Sequence, residues 1–239
     1  MGLEYVGKTL LVKGDGKRIL AVGDLHLGFE EALNRSGVFV SRKMFEEMIE
    51  YLDRVFEKIE NVDEVVLLGD VKHVFGGVLG QEWKDVSGLL DYLNKKSKRV
   101  VIVKGNHDKI IEPIARKKDI EVKDYHIVGD VCFLHGDRDF VENYGKKIKT
   151  WVVGHGHPAV KISEPGGAKI EKFKCFLVGK FKGKSVVVVP SFFDYNVGSD
   201  PRENELGFVW DFNFDNFEVK VVQDETLDIL SFGKLKKLG

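Results

Sequence analysis

The chain of 239 residues is poor in cysteine, glutamine and proline, carries almost no net charge and has no long apolar run. Its two cysteines, Cys132 in VCFLH and Cys175 in KFKCFL, stand singly in strand-like runs. With no CxxC pair they argue against a disulfide framework and a cysteine-held zinc, and read as small buried hydrophobes. A formal net charge of −1 excludes coating of a polyanion through bulk charge, though not through a local basic face. No segment approaches the ~20 apolar residues of a membrane helix, since SVVVVPSFF is short and contains a proline. MGLEYVGKTL has neither the basic nor the apolar region of a signal peptide, and Val6 stands where a myristoylation signal needs Ser or Thr. These absences predict a cytoplasmic protein without membrane contact. Glutamine occurs only at Gln81 and Gln223 while 31% of residues are charged, a bias compatible with a heat-adapted source.

What is present is 43% apolar residues, enough for a substantial core, and the reading expects one domain over residues 1–239. RILAVGD (18–24), EVVLLGD (64–70), RVVIVKGNHD (99–108), VCFLHGD (131–137) and TWVVGHGH (150–157) are short runs of the doubly buried kind. Between the first two, Phe45, Met48, Ile49, Leu52, Phe56 and Ile59 keep helical spacing. A second helix is predicted over Gln81 to Ser97, and a third starting near Asp108. After Val160 the pattern becomes antiparallel, with one hairpin around Lys182-Gly183 and another within GFVWDFNFDNFEVKVVQ. The expectation is an α/β fold of two packed sheets with helices outside.

Each buried run ends in polar residues: Asp24-x-His26, Gly69-Asp70, Gly105-Asn106-His107-Asp108, His135 and His155-Gly156-His157. Strand ends in open α/β sheets are where sites are built. Six of the seven histidines fall in or just after these clusters, counting His73. On a strand, His155 and His157 would share a face, as two ligands of one metal do. Singly, each cluster has an ordinary explanation as a turn or cap; together they point to metal. Asp24, His26, Asp70, Asn106, His135, His155 and His157 offer imidazole, carboxylate and amide but no thiolate, which suits Mn, Zn, Fe, Ni or Co. Seven donors are too many for one tetrahedral zinc, and a carboxylate bridges two ions through its two oxygens. Two metals about 3.5–4 Å apart clamp the attacking and leaving oxygens of a displacement at phosphorus.

In order, the clusters resemble the D-x-H, G-D-x-x-(D/H), G-N-H-(D/E), lone H and G-H-x-H motifs of the calcineurin-like metallophosphoesterases. GDLHLGFE (23–30) and LLGDVKHVFG (67–76) resemble the ICC-like phosphoesterases, whose bacterial members include ligase-associated DNA-damage-response nucleases. The resemblance implies a four-layer α/β/β/α sandwich of two mixed sheets flanked by helices. It implies two divalent metals, with manganese expected: one on Asp24, His26 and His157, one on Asn106, His135 and His155, and Asp70 bridging them. It implies a hydrolase in which a hydroxide between the metals attacks a phosphodiester in line, with DNA or RNA the favoured substrate and a helicase or ligase as associate. His107 would act at the leaving oxygen. His73 replaces the carboxylate that many members use to orient that histidine, and would position His107 or contact phosphate. Asp108 would cap the following helix.

Lys72 and Arg138 are candidates for the non-bridging phosphate oxygens, or else solvated charges. Between 160 and 185 stand Lys161, Lys169, Lys172, Lys174, Lys180, Lys182 and Lys184 against Glu164 and Glu171. This lysine-rich segment either tracks a nucleic-acid backbone or forms the wet face of a hairpin. A small-nucleotide phosphatase or diesterase, and a non-catalytic binding subunit that keeps the fold, are the alternative readings.

Overall fold

The chain opens with three strands, β1 (Gly2–Val6), β2 (Thr9–Gly14) and β3 (Lys17–Val22), paired antiparallel in a meander. Asp15-Gly16 closes the second hairpin with both residues at positive φ, the geometry that matches strand twist. Helices α1 (Phe29–Arg35) and α2 (Met44–Lys58) lead to β4 (Val62–Leu67), α3 (Gly80–Lys96) to β5 (Ser97–Val103), and α4 (Glu112–Lys117) to β6 (Glu121–Lys123). The last three of these strands continue the first sheet in parallel, in the order β1 to β6. The second sheet contains β7 (Tyr125–Val128), β8 (Val131–Leu134), β9 (Thr150–Val153), β11 (Ile170–Phe181), β12 (Lys184–Val188), β13 (Glu218–Gln223) and β14 (Asp228–Lys234). There β8, β9 and β12 run parallel, and β10 (Ala159–Ser163) pairs with β11 at its side. This is a computed structural model, and it describes residues 1–140, 147–163 and 170–238.

Period-two alternation sorts the apolar residues into layers. Leu11, Leu20, Val65 and Ile102 face α2 and α3, where Met48, Leu52, Val55, Leu89 and Leu93 complete one core. Their neighbours Leu10, Ile19, Val66 and Val103 face the other sheet and pack on Phe133, Val152, Phe176 and Val187. The far side of the second sheet buries Leu134, Trp151, Val186 and Leu177 under Trp210, Phe212 and Phe217. The expected class of two mixed sheets with helices therefore holds. Among the described residues, though, the outer cover of the second sheet is an aromatic loop.

That loop corrects one expectation. GFVWDFNF does not enter a hairpin: Trp210 and Phe212 pack inward from irregular chain, a strand begins only at Glu218, and the hairpin is β13 with β14. Aromatic alternation signalled burial, and burial came without strand pairing. The expected hairpin at Lys182-Gly183 is present between β11 and β12. Cys132 and Cys175 are buried, and neither forms a disulfide. No helix among the described residues is long and apolar enough to cross a membrane.

Candidate metal centre

The site lies where β3, β4, β5, β8 and β9 end on one rim of the two sheets. Among the described residues, five of the nine non-glycine positions at positive φ are Asp24, His26, Asp70, His155 and His157. Such conformations cost on the order of 1–3 kcal/mol each and persist where the surroundings over-determine them. Here the turns are tied to one another: the Leu25 and His26 amides donate to the Asp70 carbonyl at 3.0 and 2.8 Å. The His107 amide donates to Asp70 Oδ1 at 2.9 Å, and the His155 amide to both oxygens of Asp24 at 3.0 Å. Close approach also demands small residues, since a Cβ on Gly105 would stand 2.3 Å from Asp70 Oδ1.

Donor atoms gather in two groups, Asp24, His26 and His157, and Asp70, His135 and His155. In the first, His157 Nε2 is 3.4 Å from both Asp24 Oδ1 and His26 Nε2. In the second, His135 Nε2 is 3.5 Å from Asp70 Oδ2, 3.1 Å from Asn106 Oδ1 and 3.1 Å from His155 Nδ1. Asp70 Oδ2 is also 3.9 Å from His26 Nε2, so one carboxylate oxygen stands between the groups.

Tautomers decide what these distances mean. His135 Nδ1 faces the Leu68 carbonyl at 2.7 Å and His155 Nε2 the Gly207 carbonyl at 3.0 Å. Carbonyls only accept, so both nitrogens carry protons, and the facing nitrogens of the neutral rings carry lone pairs. Lone pairs with an amide oxygen and carboxylates around them form a cation trap, and the donor set suits a divalent ion. Burial drives His26 down to about 3, which keeps its imidazole neutral, with a lone pair to offer. Burial opposes charge on His135 as well, but Asp70 and Asp24 overcome it and push that imidazole up to about 9. Burial pushes Asp24 and Asp70 upward, and the surrounding histidines nevertheless hold both below the usual carboxylate range.

His107 and His73 adjoin this centre, with His26, His73 and His107 forming a third close group. The proton on His107 Nδ1 is held by the main-chain carbonyl of His73. Residue 73 thus orients His107 through its backbone, and no carboxylate is needed there. Glu82 sets that carbonyl in place: the carboxylate is fully buried and accepts from the amides of His73, Val74 and Leu79 at 2.8 to 3.0 Å. Nothing in the sequence singled out Glu82. Its only signal is an acid at the start of an apolar helix, which reads as an ordinary first-turn charge.

Two expectations, for Asp108 and Lys72, are corrected. Asp108 does not cap α4; it is buried, and its oxygens accept from Val71, Lys72 and Gly105 at 3.0 to 3.4 Å, tying the two loops that carry Asp70 and Asn106. Lys72 is fully buried with its ammonium on the Val74 carbonyl, so it braces the loop from within. Arg138 lies against Asp137 and Asp124 at 3.3 and 3.6 Å. Among its described residues the lysine-rich segment makes no single basic face. Lys174 and Lys184 are buried on main-chain carbonyls, Lys172 reaches the Gly198 carbonyl and Lys161 pairs with Glu203. Lys169 and Glu164 lie outside the described residues. At VVPSFFDYNVG the chain comes back to the site: Ser191 Oγ donates to the Asp24 carbonyl at 3.1 Å, and the Phe193 ring lies 5.3 Å from that of His26. Asn196 caps a turn, its Oδ1 accepting from the Gly198 amide.

Residues 17–179 match the family described as Calcineurin-like phosphoesterase. The chain belongs to that family of metal-dependent hydrolases acting on phosphoric esters. Among solved structures, the nuclease MPE of Pseudomonas putida matches with a TM-score of 0.62 at 16% identity, covering 94% of this chain and 100% of that one. Vps29 of Entamoeba histolytica matches with a TM-score of 0.42 at 13% identity, covering 90% of this chain and 99% of that one. A protein of unknown function from Aquifex aeolicus matches with a TM-score of 0.35 at 20% identity, covering 63% of this chain and 82% of that one. No curated protein matches the sequence.

Proposed function

We propose that this phosphoesterase uses two divalent cations and cleaves phosphodiester bonds in nucleic acid. Asp24, His26 and His157 hold one ion, Asn106, His135 and His155 the other, and Asp70 serves both. The observation that carries this is the position of Asp70 Oδ2, within 4 Å of an imidazole nitrogen from each donor group. When bound, the cations supply Lewis acidity and lower the pKa of water. The mix of imidazole, carboxylate and amide suits Mn, Zn, Fe, Ni or Co, and of these manganese is the ion the family resemblance favours.

The chain's own contribution is placement of the proton at the leaving oxygen. His107, with Nδ1 fixed on the His73 carbonyl, presents Nε2 as the acid. Nucleic acid is favoured by the overall fold shared with the Pseudomonas nuclease along nearly the full length of both chains. Metal analysis of the purified protein, coupled to cleavage of single-stranded DNA, RNA, cyclic nucleotides and p-nitrophenyl phosphates, tests both halves. Two ions per chain and salt-sensitive cleavage of the polymers are expected. One ion per chain, or turnover restricted to small nucleotides, would refute the corresponding half.

A further inference from the structure

Phe75 is 56% exposed, and the loop that carries it is not loose. Directly before it, the Val74 amide is held by Glu82 at 2.8 Å and the Val74 carbonyl by the buried ammonium of Lys72. The His73 amide is held by Glu82 as well. Single exposed apolar residues are common on protein surfaces and need no function. This one differs in being pinned, in touching the proton donor and in carrying a cation. Its ring stands 5.6 Å from the His107 ring at 87°, and Lys109 Nζ lies 4.0 Å above its centroid. A cation on the face of an exposed ring marks an electron-rich surface open to a flat ligand.

We propose that Phe75 and Lys109 form a nucleotide subsite on the leaving-group side of the scissile bond. This rests on the nucleic-acid reading above and on His107 acting at the leaving oxygen. The nucleoside that departs from beside His107 lays its base on the Phe75 ring, taking the place of the ammonium. Lys109, on its flexible stem, moves to the following phosphate. Stacking of this kind tolerates every base, because each has a π face.

The test uses pairs of single-stranded oligonucleotides that differ only by a base or an abasic sugar immediately on the leaving-group side. For the wild type, kcat/KM should favour the base-bearing strand by about 5- to 100-fold. In Phe75→Ala that ratio should fall close to one, and in Phe75→Trp it should persist. Lys109→Ala should flatten the salt dependence of KM while keeping the ratio. A reading free of chemistry comes from 2-aminopurine at the same position, bound in EDTA, whose fluorescence should be quenched by the wild type and less so by Phe75→Ala. An unchanged ratio in Phe75→Ala, or no quenching in the wild type, overturns the subsite while leaving the nuclease reading intact. A wild type that hydrolyses aryl phosphates but no oligonucleotide overturns the nucleic-acid reading itself, and the subsite with it.

Discussion

His135 Nε2 and His155 Nδ1 face each other at 3.1 Å, while the opposite nitrogen of each ring donates to a main-chain carbonyl. Something positive must lie between them, and without metal that is a proton. With His135 pushed up to about 9, against about 6.5 for a free imidazole, the metal-free protein holds this proton at neutral pH. Metal has to displace it, so affinity should rise with pH until about 9. We expect calorimetric titration near pH 7, in buffers of differing ionisation heat, to show close to one proton released per chain from this pair. Metal uptake without proton release would contradict the arrangement.

His107→Ala should lower kcat by about 10²- to 10⁴-fold while metal content stays near that of the wild type. Glu82→Gln tests the support beneath His107. It puts an amide N–H among three backbone donors, at a cost of about 1–3 kcal/mol in stability. Because the His73 carbonyl then shifts, kcat should fall more than KM rises. Loss of metal in His107→Ala, or a Glu82→Gln enzyme with unaltered kcat, would remove the proton-donor assignment or its support respectively.

The sequence made the strand ends legible because two signals coincided there, apolar runs that stop abruptly and residue types that bind metal. Helices α2 and α3 were legible from their apolar stripes, and Lys182-Gly183 from turn chemistry. What stayed hidden was the use of polar side chains by backbone far away in sequence. Asp108 resembled a cap, Lys72 a phosphate ligand and Glu82 a helix-start charge, and all three instead hold loops from inside. Local pattern carries no information about which distant amide a buried carboxylate will meet. The aromatic run 207–217 misled for a related reason: it reports burial, and burial does not require strand pairing.

Lys174 shows how a buried lysine serves the site without touching it. Its ammonium donates to the carbonyls of Ser191, Phe193 and Asn196 at 2.6 to 3.0 Å, holding the loop that presses Phe193 on His26. Lys174→Met keeps the length of the side chain and strands three acceptors. We expect a loss of about 2–4 kcal/mol in denaturant unfolding and faster amide exchange at 191–196. An equally stable variant would mean that water satisfies these carbonyls.

Far from the metal rim, Glu64 of the first sheet meets His126 of the second at 2.5 Å, both buried, with Lys17 and Arg99 at 3.7 and 3.9 Å. The two atoms meet closely without the alignment of a hydrogen bond. Burial pushes the Glu64 carboxyl upward, yet His126, Arg99 and Lys17 hold it below its ordinary value. A carboxylate depressed in the folded state stabilises fully above its unfolded pKa, and the stabilisation is lost as pH falls through the folded one. The melting temperature of the wild type should therefore decline below the ordinary glutamate range, near pH 4.3 and downward. Glu64→Gln should be less stable at neutral pH, by about 1–3 kcal/mol, because Lys17 and Arg99 lose their anion. It should also lose part of the acid dependence, so the two melting curves converge as pH is lowered toward 2. Parallel curves across that range would show that Glu64 is not the group whose charge ties the two sheets together.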